Sequence, residues 1–227
     1  MLDVHPAIYS GYGLVEAPLS RVIHRFGNHR RADQSTMSVL RAQSTVAETL
    51  EYLDVRTTGA TRLALLELGS WTAILTNHRN GSDFSDHQYW AGRMVGARTV
   101  RVVDSEARWK REGRRRIRLS WEMRSFELHR PDNEPIRVIT NANDGGRWTF
   151  FTLGDPLPFE ADAPYEADDK RDRFSRAQLH AILDALGPGP LTRDRLLVTP
   201  RFALLREQRI DAEWQARIDA EARTLDE

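Results

Sequence analysis

The hydrophobic pattern changes period several times along the chain, and each change marks an element. Leu19, Val22, Ile23 and Phe26 recur at separations of three and four, with Pro18 ahead of them and Gly27 behind. That spacing and punctuation predict a short helix preceded by a strand over residues 8–17. Ser35 to Arg41 suits a strand, and Thr45 to Leu53 a helix with Val46, Leu50 and Leu53 inward. The centre of the chain is Leu63 to Asp104. The apolar run Leu63 to Leu68 breaks at Gly69-Ser70 and resumes as Trp71 to Thr76, two paired strands rich in apolar, β-branched and aromatic residues. Asn77 to Asp86 is a polar loop. From Asp86 to Val95, Tyr89, Trp90, Met94 and Val95 return at helical spacing, and Gly96 stands where a C-cap belongs. Val100, Val102 and Val103 follow as a return strand.

Beyond Val103 the period falls to two. Ile117, Leu119, Trp121 and Met123 alternate with polar neighbours, which predicts a strand over Arg108 to Arg124 with one buried face. The pleat then turns Arg116 and Arg118 outward. Phe126 to Leu128 extend the pattern until Pro131-Asp-Asn133. Ile136, Val138 and Ile139 begin another strand, Asn141 to Gly146 is a turn, and Arg147 to Leu153 is its partner. Pro156, Pro158 and Pro164 make residues 155–172 a connector that lies against the basic strand, with Phe159 and Tyr165 as buried anchors. Phe174 to Leu186 is a helix, N-capped by Ser175 and stopped by Gly187-Pro188. Phe202 to Leu205 suits strand or helix equally. Ile210, Trp214 and Ile218, four apart, mark a charged amphipathic terminal helix.

These elements imply an α+β protein: a mixed, mostly antiparallel sheet of six or more strands with helices packed on one side. Residues 1–190 form a single domain, with a sub-boundary near 54–62, and 191–227 a C-terminal extension.

Composition narrows the function classes. The 227 residues are 40% hydrophobic and 29% charged, with a formal net charge of zero. A soluble globular protein is expected, and the neutral total argues against a general polyanion binder or a membrane-surface protein. With no cysteine, disulfides and thiolate chemistry are excluded. The start of the chain does not read as an export signal and no apolar run is long enough to span a bilayer, so a cytoplasmic location is expected. Of the 33 basic residues all but Lys110 and Lys170 are arginine, a bias that coding composition alone produces.

Charge is nonetheless unevenly placed. Between Ala91 and Arg130 twelve basic residues face five acids, whereas Asp155 to Asp184 holds eight acids and four bases. Trp109, Arg114, Arg116, Arg118 and Trp214 are therefore the candidate binding residues, because tryptophan and arginine concentrate where interfaces are tight. The rival constellation is the loop Asn77, His78, Arg79, Asp83, Asp86 and His87, which brings imidazoles, carboxylates and a guanidinium between a strand end and a helix start. His78, Asp83 and His87 suit several divalent ions by type but match no metal-ligand spacing, and a turn leading into a helix capped by Asp86 explains the same residues. No metal or cofactor is expected. Walker, Gly-x-Ser-x-Gly and dinucleotide motifs are all missing, and Gly11-Tyr-Gly13 is too short to cradle a phosphate.

At the Trp71 to Asp104 unit and at Pro156-Leu-Pro-Phe-Glu160 the chain resembles small cytoplasmic bacterial proteins of the toxin-immunity type. The resemblance is one of style, covers about half of the chain and carries over no site residue. It implies a mixed sheet with flanking helices, no catalytic motif and a charged recognition face. The expected function is thus a non-catalytic binding protein whose partner is another protein. The alternatives are a metal-dependent hydrolase or other enzyme built on the 77–87 loop, and a nucleic-acid binder using the basic strand 108–124, where tryptophans stack bases and arginines meet phosphates.

Overall fold

The computed structural model describes residues 11–26, 35–44, 48–49, 52–53, 62–77, 85–160, 163–192, 195 and 202–209. Among them the chain runs β1 (Gly11–Val15), α1 (Leu19–Phe26), β2 (Ser35–Ser44), β3 (Arg62–Leu68), β4 (Trp71–Thr76), α2 (Ser85–Val95) and β5 (Thr99–Ser105). It continues as β6 (Arg108–Glu112), β7 (Arg115–Ser120), β8 (Met123–His129), β9 (Pro135–Asp144), β10 (Arg147–Leu153), α3 (Arg176–Leu186) and β11 (Phe202–Arg209). Two single 3₁₀ turns, Ala163–Glu166 and Lys170–Asp172, lie between β10 and α3. The expected terminal helix around Trp214 and most of the expected helix Thr45 to Leu53 lie outside the described residues.

Nine strands form one sheet in the order β10-β9-β8-β5-β1-β4-β3-β11-β2. Every neighbouring pair is antiparallel, so the α+β class and the antiparallel sheet are as the pattern predicts. Phe202–Arg209, which the sequence leaves open between strand and helix, is a strand seated between β3 and β2.

Both faces of the sheet are covered, and the sequence of β3 says why. Leu63 and Leu65 point to one face and Ala64, Leu66 and Leu68 to the other, all buried. A strand apolar on both faces needs a layer on each. The helices therefore divide between the faces instead of sharing one. Leu19, Val22 and Phe26 of α1, with Ala91 and Val95 of α2, close over Val15, Leu63, Leu65 and Ile74. Leu179, Ile182 and Leu183 of α3 pack on the opposite face with Leu14, Leu66, Val100, Val102, Phe126 and Ile139. α3 is fixed at its start as expected: the Gln178 backbone N–H donates to Ser175 Oγ at 3.3 Å, and the Ser175 N–H donates to Gln178 Oε1 at 2.6 Å, a reciprocal capping box.

The proline-rich connector, expected against the basic strand, packs instead on β9 and β10. Its anchor is Glu160, whose carboxylate takes the Arg137 guanidinium at 2.6 Å, and Tyr165 hydrogen-bonds the same carboxylate. Phe159, expected as an anchor, is exposed. A single turn at Pro158-Phe159, closed by the Glu160 N–H on the Leu157 carbonyl at 2.9 Å, leaves Phe159 outside while Glu160 turns in. Among the described residues no helix is long and apolar enough to cross a membrane.

Candidate functional site

The single basic strand expected over Arg108 to Arg124 is two strands and the start of a third. Gly113, with φ 59°, occupies a two-residue turn between Glu112 and Arg115, where a positive φ suits glycine and closes a hairpin. β6 and β7 pair with each other alone, as a ribbon that leaves the main sheet after Ser105 and re-enters it at Met123. The alternation of Ile117 and Trp121 was expected to bury one face. Both side chains are instead exposed, at 40% and 41%, because among the described residues no layer packs behind the ribbon. The period-two signal is right about the strand and wrong about its burial.

The register of the ribbon sets its chemistry. Trp109 pairs with Arg118 and Arg111 with Arg116, so these four side chains project from one face. The guanidinium carbons of Arg116 and Arg118 stand 4.4 and 4.2 Å from the centre of the Trp109 ring, and Arg118 also lies 3.6 Å from the centre of Trp121. Each contact is a cation–π attraction: Trp109, Arg116 and Trp121 are exposed, whereas Arg118, which lies over both rings, is half-buried. Between Arg108 and Ser120 seven basic residues accompany one acid, Glu112. Arg114 sits in the turn and is exposed, as are Arg115 and Arg116. The hairpin is a concentrated positive surface on a neutral molecule.

Its base is neutralised. Arg124, included in the basic strand by sequence, is buried in β8 and turned toward acids: Nη1 lies 2.7 Å from Glu122 and Nε 3.4 Å from Asp104. Arg176 of α3 grips Asp104 with two hydrogen bonds of 2.7 and 2.9 Å and reaches Glu106 at 2.8 Å. These pairs tie β5, β8 and α3 together below the ribbon.

The rival loop resolves differently. Asn77 is buried and structural: its Oδ1 accepts from the Arg62 backbone N–H at 2.8 Å and its own N–H donates to the Arg62 carbonyl, which extends the β3–β4 pairing by one step. His87 is buried within α2. The helix begins at Ser85, so Asp86 falls in the first turn instead of ahead of it. His78, Arg79 and Asp83 lie outside the described residues, as does Trp214.

A second polar cluster, scattered in sequence, joins α2 to the sheet. Tyr89 Oη lies 3.0 Å from His129 Nε2 and 3.4 Å from Glu127 Oε2. Glu127 also receives Arg101 and, at 3.0 Å, the Ser125 hydroxyl, while His129 Nδ1 donates to the Asn133 carbonyl at 3.2 Å. Burial pushes the Glu127 carboxyl up, but the His129, Arg101 and Ser125 contacts outweigh it and hold the group down at about 2. Burial, with the nearby Glu127 charge, pushes the Tyr89 hydroxyl far above its usual range. An ionised carboxylate and a neutral phenol, each driven away from neutral pH, suit a fixed junction better than proton transfer. Only the period-two placement of Ser125, Glu127 and His129 on one strand foreshadows this cluster in the sequence.

Comparison with protein-family models, curated proteins and solved structures finds no match to this chain. The hairpin and its charge are therefore the ground for a functional reading.

Proposed function

We propose that the chain is a non-catalytic binding protein that docks the β6–β7 hairpin onto the acidic face of another protein, in the manner of an inhibitor or toxin-immunity protein. The observation that carries this reading is the stack of half-buried Arg118 with the exposed Trp109 and Trp121, with exposed Arg116 beside it, on a ribbon of seven basic residues. Guanidinium groups held over indole rings lose less freedom when they meet a carboxylate, and their planar fork can bind it through two hydrogen bonds. Because arginines already cover the Trp109 ring, that indole serves to position cations more than to stack bases. The electrostatic face would also speed encounter with an acidic partner.

Two fluorescent probes test the proposal: a labelled oligoglutamate peptide and a labelled single-stranded oligonucleotide of similar charge, each titrated by anisotropy at roughly 50 to 200 mM salt. The expected result is peptide binding that weakens with salt and falls on R116A/R118A substitution. Oligonucleotide binding much tighter than peptide binding would replace the protein partner with nucleic acid. Binding of neither probe, or peptide binding indifferent to the two substitutions, would overturn the reading.

A further inference from the structure

We propose that β10 is a dimerisation edge, pairing antiparallel with β10 of a second copy about a two-fold axis at Phe150. Among the described residues β10 ends the nine-stranded sheet and has β9 as its only sheet partner. Asp144 and Arg147 flank the two-residue turn Gly145-Gly146, with φ 64° and 97°, so the hydrogen-bonded pairs of this hairpin begin at Arg147 and recur at every second residue. Consequently Trp148, Phe150 and Thr152 direct their N–H and C=O groups away from β9. Such a row is a template for another strand.

Proteins usually blunt an open edge with lysine, proline, a bulge or a covering segment. β10 reads Arg-Trp-Thr-Phe-Phe-Thr-Leu, with no lysine or proline, and pairs with β9 through seven residues without a register break. The connector covers one face of the strand, where Tyr165 and Arg173 pack on the Phe150 ring. The other face carries Thr149, Phe151 and Leu153, all exposed; Phe151 is 55% and Leu153 45% accessible.

The strand's sequence selects a second copy of itself. An axis at Phe150 sets Trp148 opposite Thr152, Thr149 opposite Phe151 and Arg147 opposite Leu153, so no charge meets its like. The three outward residues of each strand would exchange six backbone hydrogen bonds. The two Phe151 rings become diagonal neighbours on one face, within reach of an aromatic contact. A two-fold pairing of this kind closes on itself, whereas pairing β10 with the opposite edge, β2, would propagate without closing.

The natural chain has no cysteine, which permits a register test. T149C and F151C proteins are mixed and oxidised, each also being oxidised alone, and mass is followed by light scattering over micromolar to millimolar concentration. The proposal expects a concentration-dependent dimer and a disulfide-linked dimer at least about fivefold more abundant in the mixture than in either protein alone, since directly opposed pairs fit a disulfide and diagonal ones do not. T152P, which removes an outward N–H from an exposed position, should leave the circular dichroism melt of the monomer in place and abolish the dimer. A monomer at every concentration, open-ended oligomers, cross-linking equal in all three samples, or a dimer that survives T152P would each overturn the proposal.

Discussion

The Arg137 guanidinium and the Glu160 carboxylate meet at 2.6 Å with only 3% and 0% of their side chains exposed. The pair is completed by its surroundings: the Leu157 backbone N–H and the Tyr165 hydroxyl donate to Glu160 at 2.9 and 3.0 Å, and Arg137 donates to the Gly154 carbonyl at 2.7 Å. It therefore holds the proline-rich connector to β9, which proline-broken backbone could not do through a ladder of its own.

Removing one partner strands the other as a buried charge. Glu160→Ala should lower unfolding stability by roughly 3–5 kcal/mol in a denaturant titration, whereas the paired change R137M/E160L should cost much less, because an apolar pair leaves no charge unmet. A double variant as unstable as the single one would show that the pair does more than compensate its own burial.

Gly13 is required by a neighbour. A Cβ built there would sit 2.3 Å from the Gln88 amide and 2.6 Å from Gln88 Cβ, closer than atoms of a packed interior approach. Gly13→Ala should therefore push α2 off β1 and lower stability by roughly 1–3 kcal/mol. Adding Gln88→Ala would leave the clash with Cβ and should recover only part of the loss; full recovery would contradict it.

The Glu127 junction gives stability a defined dependence on pH. The folded protein holds this carboxyl at about 2, below its ordinary value of 4.5, so the ionised form favours folding. That contribution is complete above about pH 4.5 and is lost as pH falls through 2. Its ceiling is roughly 3 kcal/mol. The difference in unfolding free energy between wild type and Glu127→Gln should be greatest near neutrality and shrink steadily toward pH 2. A difference that does not change between pH 7 and 3 would contradict the assignment.

Local spacing made the elements legible, and layering hid the rest. Leu19, Val22 and Phe26 announce α1 to the residue, and Ser175 announces the start of α3. Burial of β3 on both faces was written in the continuous apolar residues Leu63 to Leu66, yet the choice of which helix covers which face depends on contacts between distant segments. Trp109 was marked as a surface residue by its charged surroundings, and it is exposed. Ile117 and Trp121 misled because alternation records a strand's pleat and does not record whether a layer stands behind it. The Trp109 and Arg118 stack depends on a hairpin register fixed by Gly113, which a reading of one continuous strand could not produce. Glu160 was hidden for another reason: one glutamate in an acidic connector looks like its neighbours until a buried arginine is placed opposite it.

The central claim is that the hairpin, and not charge in general, is the contact face. The direct measurement compares dissociation constants for the oligoglutamate probe at fixed salt between R116A/R118A and R93A/R130A, a control that removes the same charge from exposed positions on α2 and beside the β8–β9 turn. The hairpin variant should bind about tenfold more weakly or worse, and the control within about twofold of wild type. Equal losses in the two variants would contradict the claim.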